Sequence, residues 1–562
     1  MKGLPNRRLR LLLLIFVLVF GGTFMRAAWL QGVRAASLSG MATAQHQETI
    51  TIPAGRGAIF DRSGVQLAIG EEATTVFANP LQVRNPRREA SIAARALGVD
   101  PGPLSVALAD RRHGFVYVAR KADPRLAAQL MTRKLSGFAS YAEERRAYPQ
   151  NATASQVLGY AGVDNHGLAG LELQLDKTLS GAAGKETVVK DAYGRVLDVL
   201  ASTPERQGRD VYLTIDHTIQ SNAESVLRDT IREWHAKNAT AVVLDPRTGG
   251  VLAMAVAPGY DANRYPQVPR WVQRNRAVTD TYEPGSTFKL VTVAAALSEG
   301  LVTPETSFTL PYSIQVADRV VHDAEPRGTE TMTVAQILAR SSNVGAITIA
   351  KLLGQERLGR WITRFGFGRA TGIDFPGESP GIVLPVADWS GSTIGNVPIG
   401  QGIAVTPIQM ASAYAAIAQG GVWREPHVVD HVGLEPRPRT KTRRILDPAI
   451  ARSVRTMLKN VVLDGTGTSA AVPGYEVAGK TGTAQKPGPH GYTTGKYVAS
   501  FVGFVPASRP RLVILVSVDE PTTAIWGGTV AAPAFQKIAK FDLQYLEVQP
   551  DAPETATATS TG

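Results

Sequence analysis

Residues 11–25, "LLLLIFVLVFGGTFM", form an apolar run without a charge. The run falls short of the roughly 20 residues a membrane helix needs, but Arg26 can snorkel and Trp29 can sit at the interface, extending the span to about residue 30. Ahead of it "MKGLPNRRLR" carries Lys2, Arg7, Arg8 and Arg10 and no acid. The pattern predicts one membrane anchor over 11–30, with residues 1–10 as a cytoplasmic basic tail and everything beyond about residue 31 across the membrane. A signal peptide has a similar start, but its candidate cleavage site, "VRA" at 33–35, lies too far past the apolar run. No second span is expected.

Beyond the anchor the periodicities are those of folded domains. In 31–215 the runs "ETVVKD" and "DVYLTI" alternate as strands do, and "SIAARALG" and "PRLAAQLMTRKL" read as helices. This region is expected to be an elongated pedestal or docking module. From about residue 236 the texture changes. "TAVVLDPRTGGVLAMAV" reads as two strands around a turn, "TVAQILARSSNVGAITIAKLLG" as helix interrupted at Ser341, Ser342 and Asn343, and "YEVAGKTGTAQK", "YVASFVGFVP" and "RLVILVSVDEP" as three successive strands. "APAFQKIAKFDLQYL" closes as an amphipathic helix. That order predicts an α/β (α+β) domain over 216–547, a mostly antiparallel sheet flanked by helices. Residues 548–562 are expected to be a disordered tail.

Composition changes this picture little. The 562 residues are 44% hydrophobic and 19% charged, ample for several cores. The net charge of +12 is spread along the chain without a nucleic-acid motif, so no nucleic-acid partner is expected. It suits an anionic membrane or an acidic wall polymer. The absence of cysteine removes thiol nucleophiles, disulfides and thiolate metal sites.

The candidate chemistry begins at "YEPGSTFKLVTVAAALSEG", 282–300, where Ser286 and Lys289 stand three apart at an expected helix start. They fit a nucleophile and its base, or an N-cap and an ordinary helical lysine. The rest of the chain decides. Ser-x-x-Lys occurs only at 286–289, Ser-x-Asn only at 341–343 and Lys-Thr-Gly only at 480–482, in that order. "SSN" falls in a helical break and "KTGT" on a strand, where Gly482 permits close backbone approach. A serine acyltransferase needs such a set, because a hydroxyl needs a base and the substrate needs polar and cationic partners. Competing signatures, a Gly-x-Ser-x-Gly elbow and a His-Glu-x-x-His metal helix, are not expected. "HVVDH" at 427–431 reads as a strand rather than a ligand pair.

With these motifs, and with "RGAIFDRSG", "GLAGLELQLDKTLSG", "VVLDPRTGGVLAMA", "NRAVTDTYEPGSTFK", "ARSSNVG" and "IGQGIAVTPIQMA", the sequence resembles the class B penicillin-binding proteins along nearly its whole length. It looks most like the division-specific FtsI type, with the elongation-specific branch as rival. The resemblance implies a penicillin-binding, serine β-lactamase-like transpeptidase domain on a dimerisation-like pedestal, cross-linking peptidoglycan stem peptides through a serine acyl-enzyme and acylated by β-lactams. It implies Ser286, Lys289, Ser341, Asn343 and Lys480 as catalytic residues and Thr481, Gly482 and Thr483 as substrate-binding ones, with no cofactor and no metal. Location would be the plasma (inner) membrane, single-pass, the catalytic domain extracytoplasmic, beside a SEDS-family glycosyltransferase and other divisome proteins. A penicillin-reactive carboxypeptidase or β-lactamase-like hydrolase, and a non-catalytic division scaffold, are the alternatives.

Overall fold

The computed structural model describes residues 5–37, 40, 47–190, 196–437, 439–488 and 491–552. The chain divides into two compact units, residues 1–55 with 181–208, and residues 56–180 with 209–562. The 31–215 region expected to be one module is therefore shared between them.

In the first unit the apolar run lies within one helix, Pro5–Gly32, whose side chains are exposed from Arg7 to Trp29. At 1.5 Å per residue such a helix is about 40 Å long, enough for a hydrocarbon core of about 30 Å. It is the one helix among the described residues long and apolar enough to cross a membrane. Arg34 stacks on Trp29 at 4.6 Å, at the end where an interfacial anchor belongs. The unit also holds a three-stranded antiparallel sheet, with Gly184–Lys190 between Gln47–Ile52 and Val196–Thr203.

The second unit opens with the strand Gln66–Ala78, which pairs antiparallel with both Val116–Ala122 and Phe138–Ala147. Three helices, Pro86–Leu97, Pro101–Ala109 and Pro124–Met131, accompany it. Each begins with proline behind a capping Asn85, Asp100 or Asp123, a start that needs no N–H from the proline. Their Ala90, Ala93, Leu108 and Leu130 join Val76 and Val118 in a small core. Arg56 is a fastener. Its guanidinium meets Glu172 at 2.6 Å and Asp176 at 2.7 Å, and Glu172 also holds Arg146 at 2.6 Å, with Arg56, Glu172 and Arg146 all buried.

The larger part is built on a five-stranded antiparallel sheet in the order Val251–Ala257, Asn238–Leu244, Leu512–Asp519, Gly491–Val505, Ala478–Gly488. Both faces are covered, so these strands read as continuous apolar runs rather than alternating ones. Val242, Leu515, Val502 and Ala478 point into the core shared with helices Lys289–Ser298 and Pro407–Ala418. Their neighbours Ala241, Val243, Ile514, Val516 and Phe501 point into the core shared with helices His217–Trp234 and Ala532–Tyr545. The closing helix thus lies where its amphipathic pattern requires.

One expectation is corrected here. The chain does not loosen at residue 548: Val548 is buried, and Asp551 accepts the backbone N–H of Glu476 at 2.8 Å and that of Ser508 at 3.2 Å. Residues 553–562, the rest of the expected tail, lie outside the described residues. Within the basic segment 436–444, Thr442–Arg444 pairs with Val422–Arg424 and Arg443 stacks on Trp423 at 4.5 Å.

Candidate active site

Ser286 sits half-buried in a 3-10 turn, Gly285–Phe288, which runs directly into the helix Lys289–Ser298. The cap positions of the turn and of the helix are Pro284 and Phe288, so the ordinary N-cap role falls away. Lys289, three residues on, is fully buried. Its Nζ donates to the Ser341 carbonyl at 2.5 Å, to Asn343 Oδ1 at 2.8 Å and to Ser341 Oγ at 3.3 Å. The first and second motifs are thereby joined through one lysine.

The second motif lies in the predicted break between helices Val334–Ala339 and Asn343–Leu353. Ser341 has the left-handed conformation, φ 62°, uncommon outside glycine. Ser342 caps the second helix by accepting the Gly345 N–H at 2.9 Å, and Asn343 begins that helix with its Nδ2 donating to the His322 carbonyl at 2.9 Å.

Lys480, Thr481, Gly482 and Thr483 lie on the edge strand of the central sheet. Lys480 is also fully buried, with Nζ 3.2 Å from Thr481 Oγ1 and 3.4 Å from Thr466 Oγ1. Thr481 is buried and shares a 2.7 Å hydrogen bond with Thr466, whereas Thr483 is half-buried and accepts the Gly527 N–H at 3.0 Å. Gly482 has a packing role beside the expected one. A Cβ there would lie 2.4 Å from Ser500 Oγ and 2.8 Å from the Pro284 carbonyl, so glycine lets the strand close on the turn that carries Ser286. Gly400 does the same from the other side, where a Cβ would lie 2.1 Å from the Gly285 carbonyl.

Burying two ammonium groups in one site is costly unless they give up charge. Burial depresses Lys289 to about 7, while the negative charge of Asp323 opposes the shift. Burial pushes Lys480 far down as well, and the positive charge of Lys289 adds to it. Charge on Lys289 therefore disfavours charge on Lys480.

Sequence reasoning missed Asp323 and Thr466. Asp323 accepts from Ser342 Oγ and from the backbone of Asn343 and Val344, and is itself held by Arg327 at 2.6 Å. Its only signal in the sequence is an acid in a short hairpin segment, too common to single out. The reading also passed over a Gly-x-Ser-x-Gly string at Gly377–Gly381. That string lies in irregular chain rather than at a strand-to-helix elbow, and Ser379 Oγ accepts the Gly381 N–H at 3.2 Å. Of the two histidines of "HVVDH", His427 is buried and His431 stacks on Tyr212 at 4.3 Å from the strand Val429–Val432. Asp61, Asp216 and His217 gather within ligand distance, but they form a helix start: Asp216 accepts the Thr218 N–H at 3.0 Å and Asp61 meets His217 Nδ1 at 2.6 Å.

Residues 239–540 match the penicillin binding protein transpeptidase domain, and residues 51–213 the penicillin-binding protein dimerisation domain. The chain is a class B penicillin-binding protein. It is 34% identical to the peptidoglycan D,D-transpeptidase FtsI of Escherichia coli K12 over 94% of this chain and 90% of that one. It is also 34% identical to stage V sporulation protein D of Bacillus subtilis, over 97% and 86%. Among solved structures it is similar to penicillin binding protein 3 of Mycobacterium tuberculosis in complex with aztreonam, at 31% identity and a TM-score of 0.71, covering 90% of this chain and 99% of that one. A peptidoglycan synthetase from Bifidobacterium adolescentis gives 28% and 0.73, covering 91% and 98%. As a class B penicillin-binding protein the chain is a serine-type D,D-transpeptidase of peptidoglycan synthesis, of mixed α/β fold, that takes peptidoglycan and β-lactams.

Proposed function

We propose that the chain is a single-pass membrane enzyme that cross-links stem peptides during septal wall synthesis, with Ser286 as the acylated residue. The observation that carries this reading is the burial of Lys289 beside Ser341 and Asn343, three residues after Ser286.

Ser286 Oγ attacks the carbonyl of the penultimate D-Ala, and its proton passes to Lys289 Nζ, which burial leaves able to accept it near neutral pH. The backbone N–H groups of Ser286 and Thr483 receive the developing oxyanion. The C–N bond to the terminal D-Ala breaks, and the leaving amine takes a proton relayed through Ser341 and Lys480. Asn343 holds the substrate amide. Thr483 is the freer of the two threonines and binds the terminal carboxylate, while Thr481, tied to Thr466, orients Lys480. An amine of a neighbouring stem then attacks the ester, forming the cross-link and freeing the serine. A β-lactam follows the first half of this path and stays.

The basic residues before the apolar helix support an amino terminus in the cytoplasm and a catalytic part outside it. The names of the relatives, FtsI and a sporulation protein, favour septum formation over elongation, with a SEDS-family glycosyltransferase and divisome proteins as partners. Labelling with a fluorescent penicillin tests the serine: Ser286→Ala should take up no label, and a variant that still labels overturns the assignment. A long-lived adduct on the unmutated protein separates transpeptidase from hydrolase.

A further inference from the structure

Strands Asn238–Leu244 and Leu512–Asp519 are neighbours in the central sheet, with Leu244 opposite Val513, so the turn after the first lies beside the turn before the second. These turns, Gln419 just past the helix Pro407–Ala418, and the segment 547–551 border a cavity of about 630 Å³. No residue of the three motifs lines it.

Arg247, Arg509 and Arg511 are among its lining residues. Asp245 takes Arg247 Nε at 3.0 Å and Nη2 at 2.6 Å, which leaves Nη1 for another acceptor. Arg509 is exposed and Arg511 half-buried, and neither has an acidic partner among the described residues. The Nε of Arg511 is buried there without any hydrogen-bond partner. Two more guanidinium groups reach the rim, Arg444 donating to the Gly420 carbonyl at 3.0 Å and Arg455 to that of Ser508 at 3.4 Å. Two acids also line the cavity, but Asp551 already accepts from the Glu476 and Ser508 N–H groups and the Ser508 hydroxyl, and Glu547 is exposed. Cationic donors are therefore in excess. A buried N–H without an acceptor costs stability, and an anionic oxygen relieves it best.

We propose that this cavity binds a phosphate ester of a polyol, with Arg247, Arg509 and Arg511 on the phosphate. Guanidinium forks suit carboxylate and phosphate alike. A carboxylate, however, offers its two oxygens in one plane, whereas a phosphate ester holds its free oxygens on a tetrahedron and accepts from several directions. Arginines carried on two separate turns match the second. The space exceeds what a phosphate fills and falls within the range of about 300–1,000 Å³ usual for small-molecule sites. Gln419, Gln549 and Glu547 line it as well, and their amides and carboxylate suit hydroxyl groups, which both donate and accept. The exposed Glu547 carboxylate also disfavours a second phosphate.

The test titrates the full chain in neutral detergent with glycerol 3-phosphate, by calorimetry at fixed ionic strength. Acetate is the carboxylate comparison, methyl phosphate lacks the hydroxyls, and dihexanoyl phosphatidylglycerol carries phosphate and hydroxyls on a lipid. Glycerol 3-phosphate should saturate one site, with an affinity about tenfold or more above that of acetate and above that of methyl phosphate. Arg509→Gln removes an exposed side chain that has no acidic partner to lose, and should weaken binding about tenfold with the unfolding midpoint unchanged. Arg133→Gln removes the same charge from an exposed position elsewhere and should leave binding as it was. Tighter binding of the lipid than of the free ester assigns the site to a membrane headgroup, and the reverse assigns it to a soluble ester. The proposal is overturned if neither ester binds saturably, if acetate or methyl phosphate matches glycerol 3-phosphate, if Arg509→Gln binds undiminished, or if Arg133→Gln weakens binding equally.

Discussion

Asp323 fixes the position of Asn343: its Oδ1 accepts the Asn343 backbone N–H at 2.6 Å. The same carboxylate takes the Ser342 hydroxyl at 3.0 Å and is paired with Arg327, so one acid locks the entry to the helix that begins at Asn343. It also supplies the negative charge that raises Lys289 against the effect of burial. Asp323→Asn keeps an acceptor but removes that charge, so Lys289 should lose its proton at lower pH. The midpoint of acylation against pH should move down, measured with a chromogenic β-lactam from about pH 5 to 9. Asp323→Ala should cost about 1–3 kcal/mol in denaturant unfolding, because the Ser342 hydroxyl and the Asn343 and Val344 N–H groups lose their acceptor.

For Lys289 itself, acylation should rise as pH climbs through about 7, where the amine becomes free to accept the serine proton. Lys289→Arg stays charged at every accessible pH and should slow acylation by about 10²- to 10⁴-fold. Stability carries the same signature. The folded-state pKa lies below the unfolded one, so between about 7 and the ordinary lysine range the unfolded chain holds a proton that the folded chain has released. Stability should therefore rise with pH across that window, with the burial penalty felt in full below it. Lys289→Met should flatten part of that slope in urea unfolding at a series of pH values, and Lys480, shifted the same way, accounts for the rest.

How far the sequence discloses this site follows from what each residue depends on. The central strands are legible because both faces are buried, which leaves runs such as "RLVILVSV" with hardly a polar interruption. Ser286, Lys289, Ser341, Asn343 and Lys480 are legible because each lies in a short string whose spacing is set by local geometry. Asp323 is not, since its bond to Asn343 spans 20 residues and exists only once a hairpin folds back on the helix. Thr466 is hidden for the same reason. The packing role of Gly482 is hidden too, because the close approach it permits is made with Pro284 and Ser500, which are remote in the chain.

That packing makes Gly482→Ala a sharp test. The added methyl meets the Pro284 carbonyl at 2.8 Å and Thr287 Cγ2 at 3.0 Å, as well as Ser500 Oγ at 2.4 Å. Backbone cannot yield as a side-chain end does, so the strand and the Ser286 turn must part. The variant should lose about 1–3 kcal/mol and acylate far more slowly. Gly114→Ala, where a Cβ meets nothing within 4 Å, should leave both unchanged.

The Pro5–Gly32 helix makes a separate prediction. It is exposed from Arg7 to Trp29, so it supplies no core to the fold. Removing residues 1–35 should yield protein that purifies without detergent and takes up penicillin at an undiminished rate. Loss of labelling in a chain whose circular dichroism is unchanged would mean the helix does more than tether.

Ser341 combines a hydroxyl and a carbonyl in one strained residue. Its φ of 62° turns the carbonyl toward Lys289, and holding a residue other than glycine in that region costs about 1 kcal/mol or more. Ser341→Ala and Ser341→Gly both delete the hydroxyl, but only glycine relieves the backbone. If the hydroxyl relays the proton, both variants should acylate slowly and to a similar degree, while Ser341→Gly unfolds at higher denaturant than Ser341→Ala. If the chief duty of the residue is instead to present its carbonyl to Lys289, the alanine variant, which keeps the carbonyl in place, should acylate near the unmutated rate. Comparing acylation rates with unfolding midpoints in the two variants separates the hydroxyl from the backbone at a single position.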